Sequence, residues 1–198
     1  MNTIHKVILI LVLTLAAGWM LQPISAATLT VADAINPGQS TITITPGSTF
    51  TVSVLVTGLT SASPVDSFDL QLAALPVGLT LNAITSPLSS SGWFVSSNVG
   101  DNSSMGYASA TGYDFYSDSV LLNYSLTADI SLTAGVVGEL TFSAEAAKNA
   151  LYDSNGLVIA MNKIGLQVTA IPEPTSAGLL LIGLTGSLVY RRKSVQRR

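Results

Sequence analysis

Between positions 28 and 170 the hydrophobic residues recur at every second place. That period commits the segment to strands with one face on a core and the other in water. Phe50, Val52, Val54 and Val56 alternate with Thr51, Ser53 and one exception, Leu55. Phe68, Leu70 and Leu72 alternate with Asp69 and Gln71; Leu79 and Leu81 with Thr80 and Asn82; Leu140 and Phe142 with Thr141 and Ser143. Leu122, Tyr124 and Leu126 follow the same rule, as do Ile130 and Leu132. Turn residues separate the runs at Asn36-Pro37-Gly38, Pro46-Gly47, Ser63-Pro64, Pro76-Val77-Gly78 and Ser154-Asn155-Gly156. Short strands rich in Thr, Ser and Val, with such turns between them, predict an all-β domain built as an antiparallel β-sandwich. No stretch has the period of a long helix, and Ala144 to Ala150 has room for one turn or two.

The side chains available for chemistry are few. The 198 residues include no cysteine and a single histidine, His5. Disulfides, thiolate metal sites and thiol nucleophiles are excluded, and imidazole catalysis goes too if the leader carrying His5 is removed. Residues 28–170 hold two bases, Lys148 and Lys163, against ten acids, a net charge of −8. A domain of that sign repels nucleic acid, which demands a basic surface.

Both ends read as addresses. In residues 1–27, Lys6 precedes an apolar run from Val7 to Ala17, and Pro23 precedes the small residues Ser25, Ala26 and Ala27. This is the pattern of a secretory signal helix, cleaved after Ala27 or Ala26 by signal peptidase following passage through the translocon. In residues 171–198, Pro172-Glu173-Pro174 precedes an uncharged stretch, Thr175 to Tyr190, and then Arg191-Arg192-Lys193. As a helix that stretch reaches about 24 Å, enough with flanking residues to cross a hydrocarbon core of roughly 30 Å. The basic cluster is the topology stop and stays on the cytoplasmic side, which puts the domain at 28–170 outside the inner membrane.

This ending resembles the PEP-CTERM sorting segment: Pro172, Glu173 and Pro174, a short glycine-containing transmembrane helix at 175–190, and a basic terminus from Arg191. The resemblance implies a Gram-negative bacterium and processing by an exosortase, with Pro172, Glu173 and Pro174 as the recognised motif. It also implies an association with exopolysaccharide and biofilm. The central domain resembles the cohesin-like jelly-roll sandwiches through Pro46-Gly47-Ser48-Thr49-Phe50, Ser67-Phe68-Asp69-Leu70-Gln71-Leu72 and Gly78-Leu79-Thr80-Leu81. Gly138-Glu139-Leu140-Thr141-Phe142 and Leu151-Tyr152-Asp153-Ser154-Asn155-Gly156 continue the match. Only the fold follows from this likeness. Cohesins bind dockerins, and a fold does not carry a partner with it.

Within the domain, Gly112-Tyr113-Asp114-Phe115-Tyr116-Ser117-Asp118 gathers three aromatics and two carboxylates, with Trp93-Phe94 and Tyr107 upstream. Trp93, Tyr113 and Tyr116 would stack on sugar faces while Asp114 and Asp118 accept hydroxyl hydrogen bonds. The competing reading has Tyr113 and Phe115 plugging one end of the sandwich while the acids cap a turn. Asp153-Ser154-Asn155-Gly156 has the opening of a calcium loop but no ligands after it, so a hairpin turn is expected and no metal site is assigned. Glu139 and Glu145 would lie about 20 Å apart on one strand, too far for a glycosidase pair at roughly 5–10 Å.

The sequence thus predicts an exported, non-enzymatic component of the cell surface or extracellular matrix, without a cofactor, held briefly in the inner membrane and released by an exosortase. A carbohydrate-binding module that takes extracellular polysaccharide is the main rival. An envelope glycoside hydrolase is the weaker one.

Overall fold

The computed structural model describes residues 27–60, 64–108, 115, 117–145 and 148–171. Twelve strands form there: β1 (Ala27–Asp33), β2 (Thr41–Ile44), β3 (Thr49–Thr57), β4 (Ser67–Gln71), β5 (Leu79–Thr85), β6 (Trp93–Asn98), β7 (Ser103–Ala108), β8 (Ser119–Ala128), β9 (Gly135–Leu140), β10 (Ala150–Tyr152), β11 (Met161–Ile164) and β12 (Leu166–Ala170). A 3-10 turn at Pro87–Ser90 is the only helical element among the described residues, and none of their helices is long and apolar enough to cross a membrane. The signal helix, the 175–190 span, Pro172-Glu173-Pro174 and Arg191-Arg192-Lys193 lie outside the described residues.

The strands make a five-stranded sheet, β11-β1-β3-β8-β5, a four-stranded sheet, β10-β4-β7-β6, and a three-stranded sheet, β2-β12-β9. Alternation puts Val52, Val54 and Val56 of β3 and Leu122, Tyr124 and Leu126 of β8 on the inward face of the first sheet. Phe68 and Leu70 of β4, Trp93 of β6 and Leu151 of β10 face inward from the second, and all join one buried core with Ile42, Leu140, Leu166 and Val168 of the third. Leu55, the exception in the sequence pattern, marks a shift of register between β3 and β8, where an extra residue must be absorbed.

The structure corrects the expectation in four places. The sandwich is not purely antiparallel: β1 pairs with β11, and β12 with β2, in parallel. Alternation fixes which face a residue takes but not the direction of its neighbour. Ile130 and Leu132 form a turn rather than a strand, because the Asp129 carboxylate accepts the Ser131 N–H at 2.7 Å and the Asp129 carbonyl accepts the Leu132 N–H at 3.2 Å. Such an Asx turn outcompetes two apolar residues at strand spacing. The run from Leu140 to Ser143 is split, since Leu140 ends β9 opposite Leu166 whereas Phe142 bridges to Leu72 beyond β4. Glu139 and Glu145 therefore do not share one strand. Finally, the described residues of 144–150 are not helical. Asn149 is buried at φ 61°, where its carboxamide accepts the Gln71 N–H at 2.7 Å and donates to the Ser143 carbonyl at 2.9 Å. That left-handed residue ends any helix and delivers the chain to β10.

Candidate functional site

The outward face of the four-stranded sheet is set by parity along each strand. In β6, Trp93 points inward, so its neighbour Phe94 points out. In β7, Ser104 and Gly106 are buried while Met105 and Tyr107 are exposed. Pairing then aligns the outward residues in rows. Tyr152 lies opposite Ser67, Ser67 opposite Tyr107, and Tyr107 opposite Phe94. In the next row Ala150, Asp69, Met105 and Ser96 stand side by side. The rings of Phe94 and Tyr107 are 5.4 Å apart and tilted by 34°. These two and Met105 are each more than half exposed, so three large apolar side chains meet water together on a domain otherwise rich in acids.

The charges beside this patch are nearly balanced. Lys148 Nζ lies 3.3 Å from Asp69 Oδ2, while Asp69 Oδ1 is shielded from solvent and has no hydrogen-bond partner. At the far end of the sheet Asp101 accepts a hydrogen bond from Asn98 Nδ2 at 2.6 Å, and its carbonyl accepts one from Gln71 Nε2 at 3.0 Å.

The residues singled out in the sequence are scattered by the fold. Trp93 is 5% exposed, its ring stacked 5.7 Å from Phe68 and tilted against Phe115 at 5.4 Å. It is a core residue and not part of a sugar platform, because adjacent strand residues face opposite ways and Phe94 took the outside. Phe115, half-buried against Trp93 and bridged to Val65, does plug this end of the sandwich. Asp118 accepts the Gly58 N–H at 2.9 Å, joining the end of β3 to the start of β8. Tyr113, Asp114 and Tyr116 lie outside the described residues. The Asp153 carboxylate accepts the N–H groups of Asn155 and Leu157, both at 2.9 Å, and closes a hairpin. Those bonds hold its pKa below the ordinary aspartate range, the Leu157 contact contributing most. Among the described residues no three potential ligands gather around a metal position.

Met105, Tyr152 and the Lys148–Asp69 pair were missed by motif reading. Phe94 and Tyr107 were noted only as aromatics upstream of the 112–118 segment, and the pairing register that joins them to β4 and β10 has no local mark in the sequence.

No protein-family model matches this chain, and no curated protein matches it. Solved structures do. A cohesin from Clostridium thermocellum, OlpA, in a complex described as type I cohesin–dockerin, is 13% identical with a TM-score of 0.56, covering 74% of this chain and 99% of that one. The cohesin module of a family 33 glycoside hydrolase from Clostridium perfringens is 17% identical, with a TM-score of 0.56 and coverage of 75% and 99%. A non-cellulosomal cohesin from the archaeon Archaeoglobus fulgidus is 16% identical, with a TM-score of 0.54 and coverage of 77% and 95%. At such identities the likeness is one of architecture: the described residues fold as a cohesin-like all-β sandwich.

Proposed function

We propose that this chain is an exported, non-enzymatic binding module that engages a protein partner through the outward face of its four-stranded sheet. The observation that carries the reading is the clustering of Phe94, Tyr107 and Met105 in water beside the half-matched Asp69 carboxylate. An apolar centre rimmed by Ser67, Ser96, Gln71 and Asn98 has the make-up of a protein contact. A cohesin of similar architecture is named in complex with a dockerin, which supports a protein as the class of partner and leaves its identity to this chain's own residues.

Delivery to that partner rests on the two ends of the chain. In this reading residues 1–27 direct export and are removed, and residues 171–198 hold the precursor in the inner membrane. Pro172-Glu173-Pro174 then presents it to an exosortase for release at the surface or into an exopolysaccharide matrix.

Two experiments test the parts separately. A photo-crosslinker placed at Tyr107 in the native host should yield a discrete protein adduct, and one placed at Asn82 on the other sheet should not. Adducts to polysaccharide alone would favour the carbohydrate-binding reading. Intact-mass analysis of the secreted protein should find termini near Thr28 and Pro172, and a mass that includes Arg198 would sink the sorting reading.

A further inference from the structure

The chain leaves the sandwich at a particular end, and the residues gathered there differ from those elsewhere on the surface. Ile171 follows β12, and its N–H donates to the Ile44 carbonyl at 3.0 Å, just before the turn at Pro46-Gly47. The Gly47 N–H donates to the Ala128 carbonyl at 3.0 Å, and Ile130 packs over Gly47, its Cγ1 lying 3.8 Å from where a Cβ would stand. The Asp129 N–H donates to the Gly78 carbonyl at 2.8 Å, which ties in the turn at Pro76-Val77-Gly78. Val136 of β9 pairs with Thr169, two residues before Ile171. Four loop or strand ends thus surround the point of departure.

Their tips are apolar and solvated. Val77 is 93% exposed and Ile130 85%, and Val136 and Ile171 are both more than half exposed. In the segments that build this end, 44–48, 75–79, 129–136 and 170–171, Asp129 is the single charged residue. These hydrophobic side chains stand outside the buried core. They are positioned for something that lies beyond the end of the sandwich.

We infer that this end of the sandwich sits on the bilayer surface, with Val77, Ile130, Val136 and Ile171 as its contact points. The inference rests on the reading of residues 175–190 as the membrane segment. Between Ile171 and Thr175 stand Pro172, Glu173 and Pro174, a link of at most about 13 Å when fully extended. A headgroup layer is roughly 5–7 Å thick. A span that starts at the hydrocarbon boundary therefore keeps Ile171 within about 13 Å of that boundary, near enough for the apolar tips around it to reach the headgroups. Apart from Asp129, next to Ile130, these segments carry no charge, so the aliphatic tips lose little by leaving water there. Contact at this end leaves the outward face of the four-stranded sheet open to a partner.

The lack of cysteine makes the test direct. Full chains with a single substitution, Val77→Cys, Ile130→Cys or, as the control on the opposite end, Leu157→Cys, are labelled with an environment-sensitive dye. They are then reconstituted into phosphatidylethanolamine–phosphatidylglycerol vesicles containing headgroup-linked nitroxide lipids. The labels at 77 and 130 should shift to the blue and be quenched severalfold more than the label at 157. Introducing Ile130→Asp alongside Val77→Cys should cut the quenching while the protein still floats with the vesicles. Equal quenching at all three positions in floating protein would overturn the inference and leave the membrane segment standing. A blue shift that grows with protein concentration, without nitroxide quenching, would overturn it in favour of a second copy covering this end. A chain that does not float at all would remove the membrane reading of residues 175–190 and the inference with it.

Discussion

Gly106 of β7 lies directly beneath the ring of Phe68: a Cβ at position 106 would stand 2.5 Å from Phe68 Cε1 and Cζ. Glycine is what lets the Phe68 ring lie flat and stack on Trp93. The Gly106→Ala variant must push that ring out of its place in a close-packed core. We expect a loss of about 1–3 kcal/mol, measured by urea unfolding, with the denaturant dependence unchanged. The outward neighbours Met105 and Tyr107 should shift with it, so weakened partner binding is expected even though residue 106 itself faces inward.

Trp93→Ala empties the middle of the Phe68–Trp93–Phe115 stack and should cost about 3–5 kcal/mol. Tyr107→Ala, on the solvent side of the same sheet, should change stability by less than about 1 kcal/mol. Thermal unfolding of the two variants separates a core residue from a contact residue: comparable losses for both would contradict the division between faces.

Tyr124 is fully buried, and its hydroxyl has no hydrogen-bond partner. Burial raises its pKa well above the ordinary value of 10.0. Tyr124→Phe removes an unmatched polar atom without altering the packing, and should stabilise the fold by about 1 kcal/mol or more. In the parent protein the raised pKa means that the folded state keeps a proton which the unfolded state gives up. The associated stability is fully present below pH 10 and falls as the pH climbs past it toward the folded-state value. An alkaline melt of the Phe variant should lose this part of the slope.

Asp129 and Asp153 have the opposite sign. Backbone N–H groups of Ser131 and Leu157 respectively are the main cause that lowers their pKa values. Their contribution to stability is present above the ordinary aspartate value of 3.8 and is lost as the pH falls through the lower folded-state values. Carboxyl resonances followed by NMR should give midpoints below those of aspartates in a peptide, and Asp153→Ala should fray the 153–157 hairpin first.

Strands β3, β4 and β8 were readable because burial imposes parity on them, and parity survives in a single sequence as the spacing of Val52, Val54 and Val56 or of Phe68 and Leu70. What parity omits is pairing. Nothing local tells Met161 that it will lie beside Ala27 in parallel, or Phe142 that it will leave β9 for Leu72. The candidate face suffers from the same gap. Phe94 and Tyr107 are 13 positions apart in the chain and become neighbours only through the β6–β7 register. Trp93 misled for a related reason, since a large aromatic looks the same in a string of letters whether it serves the core or the surface. Asn149 and Asp129 show the remaining limit, where one short polar side chain outweighs the apolar residues around it by satisfying backbone groups.

The exit at Ile171 also determines how the domain bears force. β12 runs straight toward that point, flanked by β2 on one side and β9 on the other. Ladder hydrogen bonds lie across the strand direction. A tug on Ile171 along β12 therefore loads both ladders in shear, all rungs together, instead of peeling them apart one at a time. Tethered at that residue and drawn outward by whatever it holds, the molecule is oriented to resist being unravelled.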